Sequence, residues 1–356
     1  MRMVRSTNRV AKVEAAIFDC DGVIIDARNS YDTAIKLCTA IVVNKFLGIE
    51  VFIGREIEKT IKSLRMTGGF NNDSDTTSTL IQAIITFASA EMNVTPISWD
   101  EPEDGEKYLK YIDRNTSSPE VVSRALNWLA STIENMEGYV DLKKVEELIT
   151  AKSIELGVEG VLSDLRKFLN YPGNFGESFL ATLFDEVFLG EEGVREKYRW
   201  ISRYIRYRGT LLDEKVLVRE DTLIKLNEIL PRGLALLTGR GRWETEKTLR
   251  ELVRYFKIDY SVFTADKGSE YEKPSPLGLI EISRKLNTRN IVYVGDSIED
   301  LMTSIAAHRE GVNCSFIGVT RDQDFARKFL QLGADVVVED VNTLPSIIED
   351  LTKTKS

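Results

Sequence analysis

One strand-like run stands alone near the start of the chain, and the runs it would pair with begin about two hundred residues later. This run, Val13–Phe18, is apolar and β-prone, broken only by Glu14, and it ends abruptly in Asp19-Cys20-Asp21-Gly22. From Gly233 onward strand and helix patterns alternate. Gly233–Thr238, Tyr260–Thr264, Asn290–Val294, Cys314–Val319 and Ala334–Val338 read as strands. Glu244–Phe256, Pro276–Leu286, Ile298–His308 and Leu344–Leu351 read as helices. Short β-branched runs separated by amphipathic helices predict βαβ units and a parallel sheet. The gap after the first run is too long for an ordinary βα connection, so it must hold a domain of its own.

Within that gap, from Asn29 to Leu212, the pattern is helical throughout. Apolar residues recur at helix-like spacing in Tyr31–Phe46, Arg55–Leu64, Ser78–Met92, Glu120–Met136, Leu142–Ile154, Val161–Leu169, Glu177–Leu189 and Val194–Arg206. The expected architecture is an α/β core, residues 1–28 and 213–356, with an all-α domain, 29–212, inserted into a loop. Such insertion is tolerated where the chain ends lie close together. Inside the helical block, Met66–Asp75 carries two glycines and two asparagines. These residues permit positive φ and a close approach of backbone amides to a ligand, which makes Gly69, Asn71 and Asn72 candidate substrate contacts; a plain interhelix turn is the alternative. Tyr171–Glu177 reads as a helix-entry loop. No internal repeat or low-complexity tract interrupts the chain.

Composition narrows the function. The chain has 356 residues, 43% hydrophobic and 29% charged, which suits a globular protein with a sizeable core. A net charge of -9, with no basic stripe interleaved with aromatics, argues against nucleic acid as a partner. It does not exclude a phosphorylated substrate, because a metal ion supplies local positive charge. The basic start, Met1 to Val10, lacks the apolar run of a signal peptide, and no segment approaches the ~20 apolar residues of a membrane span. Cys20, Cys38 and Cys314 are odd in number and scattered, so a reducing cytoplasm is the expected setting. With His308 as the single histidine, acid–base work falls to carboxylates; His308 itself reads as a surface residue.

Four short motifs fall where a strand hands over to the next segment: Asp19-Cys20-Asp21-Gly22, Thr238-Gly239-Arg240, Lys273-Pro274, and Gly295-Asp296 followed by Asp300. In an open parallel sheet such positions converge on one crevice at the carboxyl ends of the strands. Two carboxylates one residue apart repel unless a cation or a proton neutralises one of them. Each motif also has an ordinary reading: a solvated turn at Asp19 and Asp21, a strand terminus at Thr238, a solvent lysine, a helix cap at Asp296 and Asp300. Cys20, between two inward carboxylates, is expected to point the other way as a small core residue. Arg240 either reaches substrate or caps.

The ordered set resembles the haloacid dehalogenase (HAD) superfamily, on the side of its phosphoglycolate phosphatase and β-phosphoglucomutase-like members. The resemblance covers Val13–Asp26 and Val216–Leu351, and the inserted block is similar to the family's helical cap. It implies a Rossmann-like core and a Mg²⁺-dependent phosphatase acting on a small phosphorylated metabolite. By that resemblance Asp19 is the nucleophile that becomes an aspartyl-phosphate, and Asp21 the general acid and base. Mg²⁺ is held by the Asp19 carboxylate, the Asp21 backbone carbonyl and Asp296. Thr238 offers a hydroxyl and Lys273 a positive charge to the phosphate, with Gly239 and Arg240 as further substrate contacts. Asp300 supports Lys273 or a metal-bound water from behind. Asp21 argues against the dehalogenase branch, and an imine-forming lysine of the phosphonate-cleaving branch is not evident, Lys59 and Lys62 being the nearest candidates. The alternatives are a phosphosugar mutase, which sends the same intermediate to a second hydroxyl, and a binding protein that keeps the fold without turnover. A cap of roughly 180 residues is large for one inserted subdomain; it can restrict entry to one metabolite, bind a regulator or carry a homodimer interface.

Overall fold

In the computed structural model, residues 2–4, 13–48, 50–70, 72–92, 94, 99, 101–112, 117–136 and 140–353 are described. The chain divides into two compact units: Met1–Arg28 with Asp213–Ser356, and Asn29–Leu212.

The first unit is an α/β core. Its strands are β1 (Arg2–Val4), β2 (Ala15–Phe18), β3 (Ile25–Asp26), β4 (Lys215–Val216), β5 (Gly233–Thr238), β6 (Val262–Phe263), β7 (Asn290–Gly295), β8 (Asn313–Val319) and β9 (Val336–Val338). Every residue of β2 and β5 is buried, as expected of strands covered on both faces. The main sheet runs β1-β9-β8-β7-β2-β5-β6, parallel except for β1, which is antiparallel to β9. Strand β2 therefore lies between β7 and β5, with Phe18 level with Val294 on one side and Leu236 on the other. The chain builds outward from β2 in both directions, so the carboxyl end of β2 is a topological switch point, where open α/β sheets form a crevice. Ile17, Leu237, Tyr293, Phe316 and Phe329 pack together beneath it. The antiparallel pair β3–β4 joins the segment leaving for the second unit to the segment returning from it.

Three core elements differ from expectation. The helix expected over Glu244–Phe256 is an α-helix only over Arg242–Leu249; a 3₁₀ segment, Arg250–Tyr255, follows from Arg250 at φ 50°. The tighter path brings Phe256 beside β5, where the Lys257 amide donates to the Leu234 carbonyl at 2.8 Å. Helices Glu220–Ile229 and Gln323–Leu332 were not expected. The second has an overt start, since the Asp322 side chain accepts from the Asp324 and Phe325 amides.

The second unit is dominated by helices: Arg28–Leu47, which begins one residue inside the first unit, Glu56–Met66, Asp73–Ser89, Glu120–Glu134, Leu142–Leu156, Glu159–Leu169 and Phe179–Tyr198. Asp73–Ser89 is central, with Leu80, Ile81, Ile84 and Ile85 fully buried, and it packs against the four helices that follow it. It starts five residues before the expected Ser78, because Asn72 caps it by accepting from the Ser74 amide at 2.9 Å. Two short parallel strand pairs, Gly68–Gly69 with Val140–Asp141 and Glu103–Asp104 with Ile205–Arg206, qualify the all-α expectation.

The expected helices Glu177–Leu189 and Val194–Arg206 become one kinked element that ends at Tyr198. Gly190 breaks it at φ 75°, ψ 172°, and a Cβ there would lie 2.4 Å from the Arg208 carbonyl oxygen. Gly209, at φ +94°, is pressed in turn against the Leu189 carbonyl. Beyond Tyr198 a helix is lost because the buried Glu186 carboxylate accepts from the amides of Arg203, Tyr204 and Ile205, at 2.5, 2.9 and 2.9 Å. Among the described residues no helix is long and apolar enough to cross a membrane.

Candidate active site

Strand β2 ends by delivering Asp19, 8% exposed, whose amide donates to the Val294 carbonyl of β7 at 2.9 Å. The chain then turns tightly: the Val23, Ile24 and Ile25 amides all donate to the Cys20 carbonyl. Gly22 serves this turn at φ +74°, and a Cβ on it would fall 1.8 Å from Asp296 Oδ2. Glycine here thus answers both a backbone and a space requirement. Cys20 is buried, with its thiol pushed well up by burial and by the Asp19 and Asp21 carboxylates, which leaves it a protonated core group.

Across the crevice, Lys273 bridges two carboxylates. Its Nζ lies 2.9 Å from Asp19 Oδ1 and 2.7 Å from Asp300 Oδ1. Asp300 is fully buried and its oxygens are fully engaged. Oδ1 also accepts from the Tyr293 hydroxyl at 2.6 Å, and Oδ2 accepts from the Ser297 amide and hydroxyl at 3.1 and 2.6 Å. Ser297 reciprocates by accepting from the Asp300 amide, which completes a capping box on helix Ile298–Arg309. The ordinary reading of Asp300 as a helix cap is therefore true, and the same carboxylate also holds Lys273. Gly295 is required behind it, since a Cβ there would meet Asp300 Cβ at 2.4 Å.

Carboxylate oxygens of Asp19, Asp296 and Asp300 all lie within 4.8 Å of one another. Were all three carboxylates ionised, the single Lys273 ammonium would leave two negative charges in excess. Burial pushes Asp19 up to about 7; Lys273 opposes this, while Asp300 and Asp21 add to it. Burial likewise raises Asp296 well above the usual carboxylate range, reinforced by Asp19 and Asp300. For Asp300 burial pulls upward, but Lys273 and the hydrogen bonds from Ser297 and Tyr293 hold it low. Lys273 stays charged against its burial because Asp19 and Asp300 flank it. Among the described residues the Asp296 side chain has no ion pair or hydrogen bond, and Asp300 has no oxygen to spare. The donor set suits a hard divalent cation bound through Asp19 and Asp296, two oxygen ligands whose repulsion it would relieve.

Arg240 departs from expectation. Its side chain is 1% exposed and turns away from solvent, so it is not placed as a substrate contact. One guanidinium nitrogen donates to Asp21 Oδ1 at 2.8 Å and to Glu214 Oε1 at 2.9 Å; the other donates to Glu214 Oε2 at 2.7 Å. The Glu214 side chain is fully buried and also accepts from the Thr248 hydroxyl at 2.6 Å. The Asp21 carboxylate, 40% exposed, is thus drawn toward Arg240 and stands outside the carboxylate cluster. Thr238, at the end of β5, is buried with its hydroxyl accepting from the Arg240 amide at 3.3 Å. Gly239 is exposed, with open space where a Cβ would stand.

The candidate contacts of the helical unit have local tasks. A Cβ on Gly69 would lie 2.1 Å from the Val140 carbonyl oxygen, so its glycine is set by strand pairing. Asn72 is a helix cap, and Asn71 lies outside the described residues. Lys59 pairs with Glu134 at the surface. His308 is half-buried, not a surface residue: the helix runs on to Arg309, so His308 sits within its last turn. Two residues that shape the site escaped sequence reasoning. Tyr293 lies inside the expected strand Asn290–Val294 with nothing to single it out, and Glu214 belongs to none of the four motifs.

No protein-family model matches the chain, and no curated protein matches it. Among solved structures it is similar to the phosphatase Tt82 from Thermococcus thioreducens, with 20% identity, coverage of 94% of this chain and 99% of that one, and a TM-score of 0.56. A putative phosphoglycolate phosphatase from Lactobacillus plantarum also matches, at 14% identity over 96% and 99% of the two chains, with a TM-score of 0.38. So does a putative β-phosphoglucomutase from Thermotoga maritima, at 15% identity over 95% and 99%, with a TM-score of 0.34. The likeness to Tt82 is one of fold. That fold is a Rossmann-like α/β core with a helical unit inserted between β3 and β4.

Proposed function

We propose that this protein is a Mg²⁺-dependent phosphatase that hydrolyses a small phosphate monoester through an aspartyl-phosphate on Asp19. The observation that carries this reading is the buried Asp19 carboxylate, held by Lys273 and set against Asp296 in a cluster whose full ionisation leaves two negative charges uncompensated. Bound between Asp19 and Asp296, with the Asp21 backbone carbonyl as a further ligand, Mg²⁺ would offset that excess and the charge of the phosphate.

In the first step an Asp19 carboxylate oxygen attacks phosphorus, the bond from phosphorus to the ester oxygen breaks, and the departing alkoxide takes the proton of Asp21. In the second, water attacks the same phosphorus and gives a proton to Asp21. The bond from phosphorus to the Asp19 oxygen then breaks, releasing inorganic phosphate and restoring the carboxylate. Lys273 fixes the Asp19 oxygen it binds and places positive charge beside the reacting centre. Asp300, itself held by the Tyr293 hydroxyl, keeps Lys273 there, and Gly239 leaves its strand end open to a phosphate. The inserted helical unit serves in this reading as the cap that selects a phosphorylated metabolite.

The test is phosphate release from an aryl phosphate and from a panel of phosphorylated metabolites, in Mg²⁺ and in excess chelator. Mg²⁺-dependent release that Asp19→Asn abolishes is expected. Undiminished turnover by that variant would sink the mechanism, and release persisting in chelator would remove the metal from it. An isomerised phosphosugar in place of free phosphate would reassign the enzyme as a mutase.

A further inference from the structure

We infer that Arg240 is a positioning residue for the Asp21 carboxylate, held on target by Glu214. The inference rests on the phosphatase reading, in which Asp21 carries the proton, and it adds a part that reading does not contain. Arg240 is the residue of the Thr238-Gly239-Arg240 motif that a strand end would be expected to aim at substrate. It is instead withdrawn, with 1% of its side chain exposed, and its partners are two carboxylates.

The geometry is that of a clamp. Glu214 binds both terminal nitrogens of the guanidinium in the planar forked arrangement that restricts an arginine most. The Thr248 hydroxyl fixes Glu214 from a third side. One nitrogen of this immobilised guanidinium then reaches Asp21 Oδ1 at 2.8 Å, which ties down one of the two oxygens of a carboxylate otherwise 40% exposed. An aspartate in a turn, half in solvent, would sample several rotamers; one hydrogen bond from a rigid donor selects a single one. Lysine could supply the charge but not the fork, so the chemistry asks for arginine here. Glu214 stands second in the segment returning from the inserted unit, directly before β4, which pairs with β3 four residues beyond Asp21. The clamp therefore ties Asp21 to the strand pair through which the chain enters and leaves the insertion.

The test exploits the need for a proton. Phosphate monoesters with poor leaving groups depend on the general acid, whereas 2,4-dinitrophenyl phosphate does not. We expect Arg240→Gln, Arg240→Lys and Glu214→Gln to lower kcat/KM for phenyl phosphate about ten-fold or more. That ratio reports the first step alone and so excludes the water attack common to both esters. Loss on 2,4-dinitrophenyl phosphate should stay within about three-fold, so the leaving-group dependence steepens. In an Asp21→Asn background the Arg240→Gln substitution should cost less than about two-fold further. The double variant Arg240→Gln with Glu214→Gln removes both buried charges together and serves if either single variant melts early. Equal losses on both esters, additive losses in the Asp21→Asn background, or no loss would each overturn the clamp while leaving the phosphatase reading intact. A wild type that hydrolyses neither ester in Mg²⁺ would overturn both.

Discussion

Replacing the proposed nucleophile should make the metal-free protein more stable, and the gain should grow with pH. Asp19 is 8% exposed and its folded-state value is about 7, against an ordinary value of 3.8. A raised carboxylate favours the folded state while it is protonated. Stability is then complete below about 3.8 and is lost as pH rises toward 7, because the unfolded chain gives up the proton first. Summed over that window the penalty is about 4 kcal/mol at pH 8 and about 2 kcal/mol at pH 5. An asparagine side chain has nearly the shape of the carboxyl and no charge to lose, and Lys273 keeps Asp300 as its partner. The advantage of Asp19→Asn over wild type should therefore increase by roughly 2–3 kcal/mol between pH 5 and pH 8, of the order of 1 M in urea midpoint.

The assay is urea unfolding in excess chelator at both pH values. Replacing Trp99, Trp128 and Trp200 by phenylalanine leaves Trp243 as the single tryptophan, and Trp243 belongs to the core unit. Taking the difference between variant and wild type cancels the titrating groups that do not feel Asp19; Asp296, which Asp19 pushes up, is relieved in the variant and adds to the gain in the same direction. An advantage that does not change with pH, or a variant less stable than wild type at pH 8, would refute the charge-excess argument. The reasoning about a divalent cation would fail with it, since both rest on the same uncompensated carboxylates.

Saturating Mg²⁺ should raise the wild-type midpoint, by about 2.7 kcal/mol when free metal is a hundred times its dissociation constant. Asp296→Asn should abolish that rise, and an undiminished metal effect in this variant would place the ion elsewhere; calorimetric titration of both proteins checks it. In the helical unit, Gly190→Ala puts a Cβ 2.4 Å from the Arg208 carbonyl at a φ of 75°. It should destabilise that unit by about 2 kcal/mol or more. Hydrogen exchange should report faster opening of helix Phe179–Tyr198, with the β2 and β7 amides unchanged; protection retained throughout would contradict the steric argument.

What was legible in the sequence is what repeats or alternates. Gly233–Thr238 reads directly as a strand because the five residues between Gly233 and Gly239 form one nearly unbroken apolar run. The apolar runs of β7 and β8 read in the same way. The first strand could be joined to them across the insertion only because its carboxylates matched motifs at the other strand ends. Boundaries failed where a distant partner decided them. Val194–Arg206 has helical spacing, yet three of its amides belong to Glu186, a buried glutamate in an apolar helical stretch. Periodicity cannot register a carboxylate that takes backbone bonds away from the next helix. The glycines of Met66–Asp75 suggested a ligand loop, but the backbone of Val140 accounts for Gly69.

The two halves of the site differ in the same way. Asp19, Asp296 and Asp300 each occupy a strand end or the helix start beside it, and Lys273 stands in the loop that leads from β6 to helix Leu277–Leu286; parallel strands in one sheet bring such ends and the loops that leave them to one edge. Their order along the chain was therefore enough to assemble them. Arg240 meets Asp21 across 219 positions and Glu214 across 26, and no period or motif links the three. Their meeting follows from the β3–β4 pair, which exists because an insertion must return to the point it left. A residue just inside that return is held close to the first strand end in any such architecture. Where the turn after the first strand carries a carboxylate and the adjacent strand ends in an arginine, an acidic residue at the return is therefore the position to inspect for a partner to both.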